Sequence, residues 1–188
     1  MKKFTIIFLA SAFILFMAIL LVIYLVKGDT SRWQVALGGM IVGAIPIGLL
    51  FLKENPFNIP TIIGYYVFLF CSSYLGSIAS FYLHYKWWDS AVHLYKGIYI
   101  GGLGITLIKV FIRKSATENI SRWIIFLFVV SLSVTASILW EVYEFLGDRW
   151  VTHTMQRGGN TDTMLDLLAG LLGGLLIAIY GAMRKHQV

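Results

Sequence analysis

The chain has 188 residues, of which 59% are hydrophobic and 13% are charged, and its formal net charge is +6. Soluble domains carry about 25% charged residues. A core of this size cannot cover so much apolar surface, which excludes a soluble globular fold. The basic excess does not indicate nucleic-acid binding, because most basic residues lie at the ends of apolar segments, where they contact lipid headgroups.

Apolar segments long enough to cross a bilayer recur along the chain. A transmembrane helix needs about 20 mostly apolar residues. The first apolar segment is 23 residues long and no clean cleavage site follows it, so it predicts a span and not a signal peptide. The sequence predicts an all-α, polytopic membrane bundle in a single transmembrane domain, residues 1–188. Its six predicted spans are 4–26, 33–52, 61–84, 89–112, 122–146 and 162–183.

Lysine and arginine residues predict the orientation of this bundle. With the N-terminus inside, nine of them lie on the cytoplasmic side and five on the outer side, and the positive-inside rule favours this arrangement. The nine are Lys2, Lys3, Lys53, Lys109, Arg113, Lys114, Arg122, Arg184 and Lys185; the five are Lys27, Arg32, Lys86, Arg149 and Arg157. We expect both termini in the cytoplasm and the protein in a bacterial cytoplasmic membrane, with membrane lipids as partners.

Four of the predicted helices carry a polar stripe. Residues three and four apart share a face of an α-helix, and polar or small residues recur at that spacing. Because lipid excludes such stripes, we expect them to face one another around a polar cleft that opens on the outer side. The stripes are Ser73, Ser77, Ser80 and His84; Asp89, His93, Lys96 and Gly97; Ser133, Ser137, Glu141 and Glu144; and Asp162, Asp166, Gly170 and Gly173.

Pairs of glycines four residues apart occur on the second, fourth and sixth helices. They are Gly39 and Gly43, Gly97 and Gly101, and Gly170 and Gly174. Such pairs let the backbones of membrane helices approach closely. Glycine is also common in membrane spans without any such role, so the pattern favours tight packing without proving it.

The acidic and histidine side chains predict a chemical site. Bundles build metal sites from carboxylates and histidines on neighbouring helices. Oxygen ligands with one nitrogen suit Mg²⁺, Mn²⁺, Ca²⁺ or Zn²⁺, so a divalent metal ion is the candidate cofactor. Asp89, His93, Asp162 and Asp166 are the predicted metal ligands, Glu141 and Glu144 the predicted catalytic bases, and Asp89, His93, Lys96 and Arg157 the predicted binding residues. A structural ion-pair network, in which Lys96, Arg149 or Arg157 neutralises the carboxylates, is the alternative.

Three segments carry a family resemblance. Trp88-Asp89-Ser90-Ala91-Val92-His93, followed by Gly97, then Trp140-Glu141-Val142-Tyr143-Glu144, then Asp162-Thr163-Met164-Leu165-Asp166 resemble the signature segments of the YjdF-type family of bacterial inner-membrane proteins. Their order is more distantly similar to that of VanZ-like proteins, although Glu144 and Asp166 stand where those proteins tend to have amides. The VanZ-like resemblance implies a role at the cell envelope.

The leading interpretation is a protein that binds or acts on an envelope lipid or a lipid-linked headgroup. A small proton- or cation-coupled transporter and a non-catalytic scaffold remain the alternatives. The sequence contains no Gly-rich phosphate loop, Gly-x-Ser-x-Gly elbow or His-Glu-x2-His motif. Whether the protein is an enzyme stays open at this level.

Overall fold

The computed structural model describes residues 1–112, 121–150, 155 and 158–183, and these residues form helices and no β-strand. The helices are α1 (Lys2–Val26), α2 (Thr30–Ala44), α3 (Ile59–Leu69), α4 (Phe81–His84), α5 (Trp88–Phe111), α6 (Arg122–Trp150) and α7 (Asn160–Met183). A 3₁₀ segment, Ile45–Phe51, extends α2, and a π-helical segment, Phe70–Ile78, extends α3. Six helical stretches in the described part are long and apolar enough to cross a membrane, which confirms the all-α, multi-span prediction.

The chain divides into two compact units, Met1–Trp88 and Asp89–Val188. In the first unit α1 packs along α2, where Met17 lies against Gly39 and Phe13 against Gly43. These two glycines therefore make room for side chains of α1, and the core that results is apolar.

The end of α2 shows how a membrane helix tolerates a proline. Pro46 has no N–H, so the carbonyl of Val42, four residues earlier, loses its helical donor, and the helix narrows to the 3₁₀ form from Ile45. The Tyr65 hydroxyl donates to the Val42 carbonyl at 2.6 Å, and the Tyr66 hydroxyl donates to the Gly43 carbonyl at 3.0 Å. The Ile45 N–H bonds the Val42 carbonyl instead, and two tyrosines of α3 add side-chain donors at this break, as suits a span in hydrocarbon.

The third span ends at Ile78, short of the expected end at 84. The π-helix ends at this residue, and Ser80 adopts a left-handed backbone conformation with φ of 64°. Arg32 holds this break, because its Nε donates to the Ile78 carbonyl and its second guanidinium nitrogen to Ser80 Oγ, both at 2.9 Å. Asp29 pairs with the same guanidinium at 2.6 Å, and the Arg32 backbone N–H and side chain hold the pKa of the Asp29 carboxyl below its usual value.

In the second unit α5 and α7 approach backbone to backbone. A Cβ atom on Gly97 would overlap the carbonyl oxygen of Gly170, and one on Gly173 would overlap the carbonyl oxygen of Leu94. The third helix, α6, lies against both, since Ser133 Oγ donates to the Gly97 carbonyl at 3.2 Å. The predicted role of glycine pairs in close helix packing therefore holds for α5 and α7.

Tyr65→Phe should destabilise the protein, because it removes one of the two donors to the Val42 carbonyl and leaves the Ile45 N–H as the other. A hydrogen bond contributes about 0.5–1.5 kcal/mol, so we expect a lower melting temperature in detergent. Tyr85→Phe, at an exposed ring of the same unit, is the control and should melt like the wild type. In a Pro46→Ala background the loss should shrink, since the alanine N–H can supply the bond; an undiminished loss would contradict this explanation.

Gly97→Ala should disrupt the contact of α5 with α7, because the added methyl meets backbone atoms that cannot rotate away. Overpacking costs about 1–3 kcal/mol. Gly102→Ala is the matched control on the same helix, where an added Cβ meets no atom within 4 Å, and alanine also favours helix. We expect thermal melting to fall for the first variant and stay level or rise for the second; equal melting of both would count against the close approach.

Candidate functional site

The polar residues of the second unit gather at one end of its three helices. Asp89 is in the first turn of α5 and Asp166 in the second turn of α7, so both lie near helix starts. Glu141 lies on α6 toward its C-terminal end. Because α6 runs opposite to its two neighbours, the three carboxyl groups meet at the same end of the unit.

The imidazole of His93 is the centre of this cluster and is only 1% exposed. Its Nε2 lies 3.6 Å from Asp89 Oδ1, and its ring also hydrogen-bonds the backbone of Asp166. Its Nδ1 lies 3.1 Å from Lys96 Nζ and 3.5 Å from Glu141 Oε1. Both ring nitrogens therefore face polar groups, and those groups come from all three helices.

These distances assign the tautomer of His93. A lysine ammonium has donors only, so the 3.1 Å contact requires Nδ1 of His93 to accept a hydrogen bond from Lys96. The ring proton then sits on Nε2, on the side of Asp89. A carboxylate facing a ring N–H is the usual means by which a protein fixes the orientation of an imidazole.

Lys96 is buried among acidic and aromatic groups. Its Nζ lies 4.8 Å from the centre of the Trp140 ring, a cation–π contact. The Trp140 indole N–H donates to Glu144 Oε1 at 2.8 Å. The carboxyl groups of Asp89, Glu141, Glu144 and Asp166 all interact electrostatically with this lysine. One ammonium supplies at most one positive charge for four carboxyl groups, so the cluster can accommodate another cation.

Two hydroxyl groups hold the deep carboxylates. Ser90 Oγ donates to Asp166 Oδ1 at 3.1 Å, and the Thr163 side chain hydrogen-bonds the Glu141 carboxylate. Glu141 is 6% exposed, yet its Oε1 has no hydrogen-bond partner. The nearby Ser137 hydroxyl is also buried without a partner. A buried polar atom without a hydrogen bond is unusual in proteins. The cluster therefore has unused hydrogen-bonding capacity at Glu141 and Ser137.

The structure brings together most of the residues that the sequence singled out. Asp89, His93 and Asp166 each offer one ligand atom, and these atoms lie within 4.8 Å of one another. Asp162, the fourth predicted metal ligand, is not in this group; it lies in the first turn of α7, where its carboxylate accepts the Gly158 N–H at 3.4 Å. Arg157, a predicted binding residue, lies outside the described residues.

Glu141 and Glu144, the two predicted catalytic bases, occupy different positions. Glu141 contacts the imidazole of His93, whereas Glu144 is partly buried and hydrogen-bonded to Trp140. Sequence reasoning missed the roles of Trp140, Ser90 and Thr163. Ser90 and Thr163 each directly follow a predicted ligand, Asp89 and Asp162, and that adjacency was the available signal.

A groove reaches the cluster between α6 and the start of α7. It is an open groove of about 420 Å³ and is lined by Glu141, Val142, Phe145, Gly159, Asn160 and Thr163. Glu141 thus belongs to both the groove and the cluster around His93. The opposite half of the unit is filled by an apolar core of Ile108, Ile125, Val129 and Ala178, so among the described residues the cluster is closed on that side.

Lys96→Met should destabilise the unit, because the carboxyl groups lose the ammonium that balances them. Removing one partner of a buried ionic group costs about 3–5 kcal/mol, which detergent melting curves will register. Lys53→Met, at an exposed lysine, is the control. Combining Lys96→Met with Glu141→Gln should recover part of the loss, as expected for residues in one network; strictly additive losses would contradict the coupling.

Comparison with known proteins agrees with this membrane architecture. A family model described as "Predicted membrane protein (DUF2238)" matches residues 8–187. An uncharacterised protein of Thermotoga maritima is 30% identical over 111 residues, which are 56% of this chain and 53% of that protein, so the chain spans about half the length of this curated relative. No solved structure matches the chain. The match over nearly the whole chain shows that it belongs to the DUF2238 family of predicted membrane proteins.

Proposed function

We propose that the protein binds the headgroup of an envelope lipid, or a lipid-linked headgroup, in the groove between α6 and α7. The observation that carries this proposal is the position of Glu141, which lines the groove and also contacts His93 in the cluster. A headgroup in the groove would therefore reach charged and hydrogen-bonding groups directly. The same position makes Glu141 the residue best placed to act as a base if the bound group undergoes chemistry.

The lining of the groove combines polar and apolar residues, which matches the two parts of a lipid. Glu141, Asn160 and Thr163 supply polar groups to its lining, and Val142 and Phe145, which are 45% and 52% exposed, supply apolar ones. A phospholipid combines the same two kinds of group, a polar headgroup and acyl chains. Because the groove lies near the ends of two spans, we expect it at the level of the headgroups.

The apolar half of the unit favours binding over transport. A proton- or cation-coupled carrier needs polar groups along a path to the far side. Toward the C-terminal ends of α5 and α7, Gly101 packs against Ile177 and Val129, and Gly181 packs against Ile105. In the described residues this region offers hydrocarbon side chains and backbone, so a site reached from one side is the simpler interpretation. We place that side outside the cytoplasmic membrane, following the distribution of basic residues.

A bulky side chain placed in the groove should displace the lipid that we propose binds there. Val142→Trp places an indole where Val142 lines the groove, and we expect lipid co-purifying with the protein in nanodiscs to fall about tenfold, equivalent to about 1.4 kcal/mol. Leu139→Trp is the control, because Leu139 is 63% exposed on the same helix and does not line the groove. Lipid mass spectrometry measures the retained species; equal retention by both variants, or equal loss from both, would overturn the proposal.

A scaffold without a ligand would behave differently under Glu141→Gln. The amide keeps the size of the side chain, so a binding site should lose lipid while the melting temperature stays near that of the wild type. A loss of melting temperature with unchanged lipid retention would instead identify Glu141 as a purely structural group.

A further inference from the structure

We propose that Asp89, His93 and Asp166 form a binding site for a divalent cation, with His93 as ligand through Nε2. The inference goes beyond lipid binding and stands without it. Two carboxylates and one imidazole are ligands that Mn²⁺ and Zn²⁺ accept readily. Three protein ligands also leave coordination positions open for water or a substrate oxygen, as catalytic metal sites require.

The three ligand atoms are close to the arrangement that a cation needs. They lie within 4.8 Å of one another, whereas bonds of about 2.1 Å around one ion bring ligand atoms to about 3–3.5 Å apart. His93 and Asp166 are 1% and 2% exposed, and Ser90 holds the Asp166 carboxylate by a hydrogen bond. The Asp89 side chain is 24% exposed, so it has room to rotate inward and close the site.

The unpartnered oxygen of Glu141 independently points to a cation. Glu141 Oε1 is buried, makes no hydrogen bond and lies 3.5 Å from His93 Nδ1. When Nε2 binds a cation, the ring proton moves from Nε2 to Nδ1, and Nδ1–H can then donate to this oxygen. Metal-bound histidines almost always donate their other ring N–H to a carboxylate, carbonyl or water. Cation binding would thus take the place of the hydrogen bond from Nε2–H to the Asp166 backbone and give Glu141 Oε1 the donor that it lacks.

Lys96 adapts to this change without leaving the cluster. It donates to Nδ1 at 3.1 Å while Nδ1 has no proton, and it must release this nitrogen once the proton arrives there. The Trp140 ring, 4.8 Å away, and the nearby carboxyl groups can still hold the ammonium. The ring carries one proton before and after the exchange, so the imidazole takes up and releases no net proton; a neighbouring carboxyl group or solvent carries the proton between its two nitrogens.

The cation would also explain how an acidic cluster receives a phosphate. Four carboxyl groups repel an anion, but a divalent ion held by Asp89, His93 and Asp166 would offer its open positions to phosphate oxygens. This role of the cation rests on the proposed function, whereas the site itself does not. A lipid phosphate and free inorganic phosphate share this chemistry, and they can be distinguished by adding each separately.

Metal titration of the full-length, chelator-treated protein in detergent tests the site. We expect about one Mn²⁺ or Zn²⁺ per chain by elemental analysis and calorimetry, and a melting temperature that rises with the metal. His93→Gln and Asp166→Asn should abolish binding, and Glu141→Gln should weaken it about 10- to 100-fold. Asp89→Asn, at a more exposed ligand, should do the same as Asp166→Asn and guards against misfolding of the buried variants.

Two carboxylates outside the ligand group are the matched controls. Asp162→Asn and Glu144→Gln should keep the metal, because neither residue belongs to the group that surrounds the proposed ion. In the wild type, pulsed electron paramagnetic resonance of bound Mn²⁺ should show coupling to an imidazole nitrogen, which His93→Gln removes. No bound metal in the wild type, or loss of metal from Asp162→Asn with retention in Asp166→Asn, would overturn the proposal.

Failure of this inference is distinguishable from failure of the proposed function. Metal bound at one ion per chain without retained lipid would uphold the site and overturn lipid binding. Lipid retained by a protein that binds neither Mn²⁺ nor Zn²⁺ would do the reverse. For the phosphate role, Mn²⁺ affinity should be higher in phosphatidylcholine nanodiscs than in phosphate-free maltoside micelles, since the zwitterionic lipid offers a phosphate without a net surface charge; a rise with inorganic phosphate alone would assign the free anion.

Discussion

The close approach of α5 and α7 is the constraint on which the rest of the second unit depends. Lipid chains are as apolar as leucine, so membrane helices associate through packing and hydrogen bonds and not through the hydrophobic effect. Gly97 and Gly173 leave no room for a Cβ atom between the two backbones. Gly97 lies about one helical turn from His93 on α5, and Gly173 lies about two turns from Asp166 on α7. The close contact of the two helices therefore brings the side chains of His93 and Asp166 within reach of each other. A larger residue at either glycine would separate the helices and expose both polar groups to hydrocarbon.

Burying the polar and charged groups of this cluster costs free energy, and the hydrogen bonds and charges around them offset only part of it. Ser90, Thr163 and Trp140 each donate to a carboxylate, and Lys96 supplies charge. Glu141 Oε1 still lacks a hydrogen bond, and the carboxyl groups of the cluster outnumber its one ammonium group. Proteins keep such deficits where a ligand later removes them. The proposed cation addresses both, since it adds positive charge and supplies a donor through His93.

Much of this arrangement follows from spacing in the sequence. The intervals of three and four residues on α5, α6 and α7 predicted which faces meet, and burial of His93, Glu141 and Asp166 agrees with that prediction. Spacing could not separate Asp162 from Asp166, because both share a face of α7. The difference is local: Asp162 is in the first turn of α7, where the backbone N–H of Gly158, just before the helix, donates to its carboxylate. The partners of Trp140 and Ser90 depend on packing between helices, which a single sequence does not contain.

The first unit shows a different limit of sequence reasoning. The third span was expected to continue to 84, but it turns to a π-helix and ends at Ile78, with Ser80 in a left-handed conformation. No proline marks this break, and the nearby Gly76 lies within the π-helix. It is held by Arg32, which the sequence places near the start of another helix. The 3₁₀ segment at Pro46 lies within an apolar run, and its tyrosine donors come from another helix, although both follow from the missing N–H of proline.

Disulfide cross-linking in native membranes tests the meeting of α5 and α7 most directly. Ser90 Oγ and Asp166 Oδ1 are 3.1 Å apart, so S90C with D166C, in a Cys71→Ser background, should form a disulfide rapidly under mild oxidation. Leu165 is 54% exposed on the adjacent face of α7, and S90C with L165C should not cross-link. Peptide mapping by mass spectrometry identifies the bond. Absence of the first cross-link, or formation of the second at the same rate, would contradict the shared polar cluster.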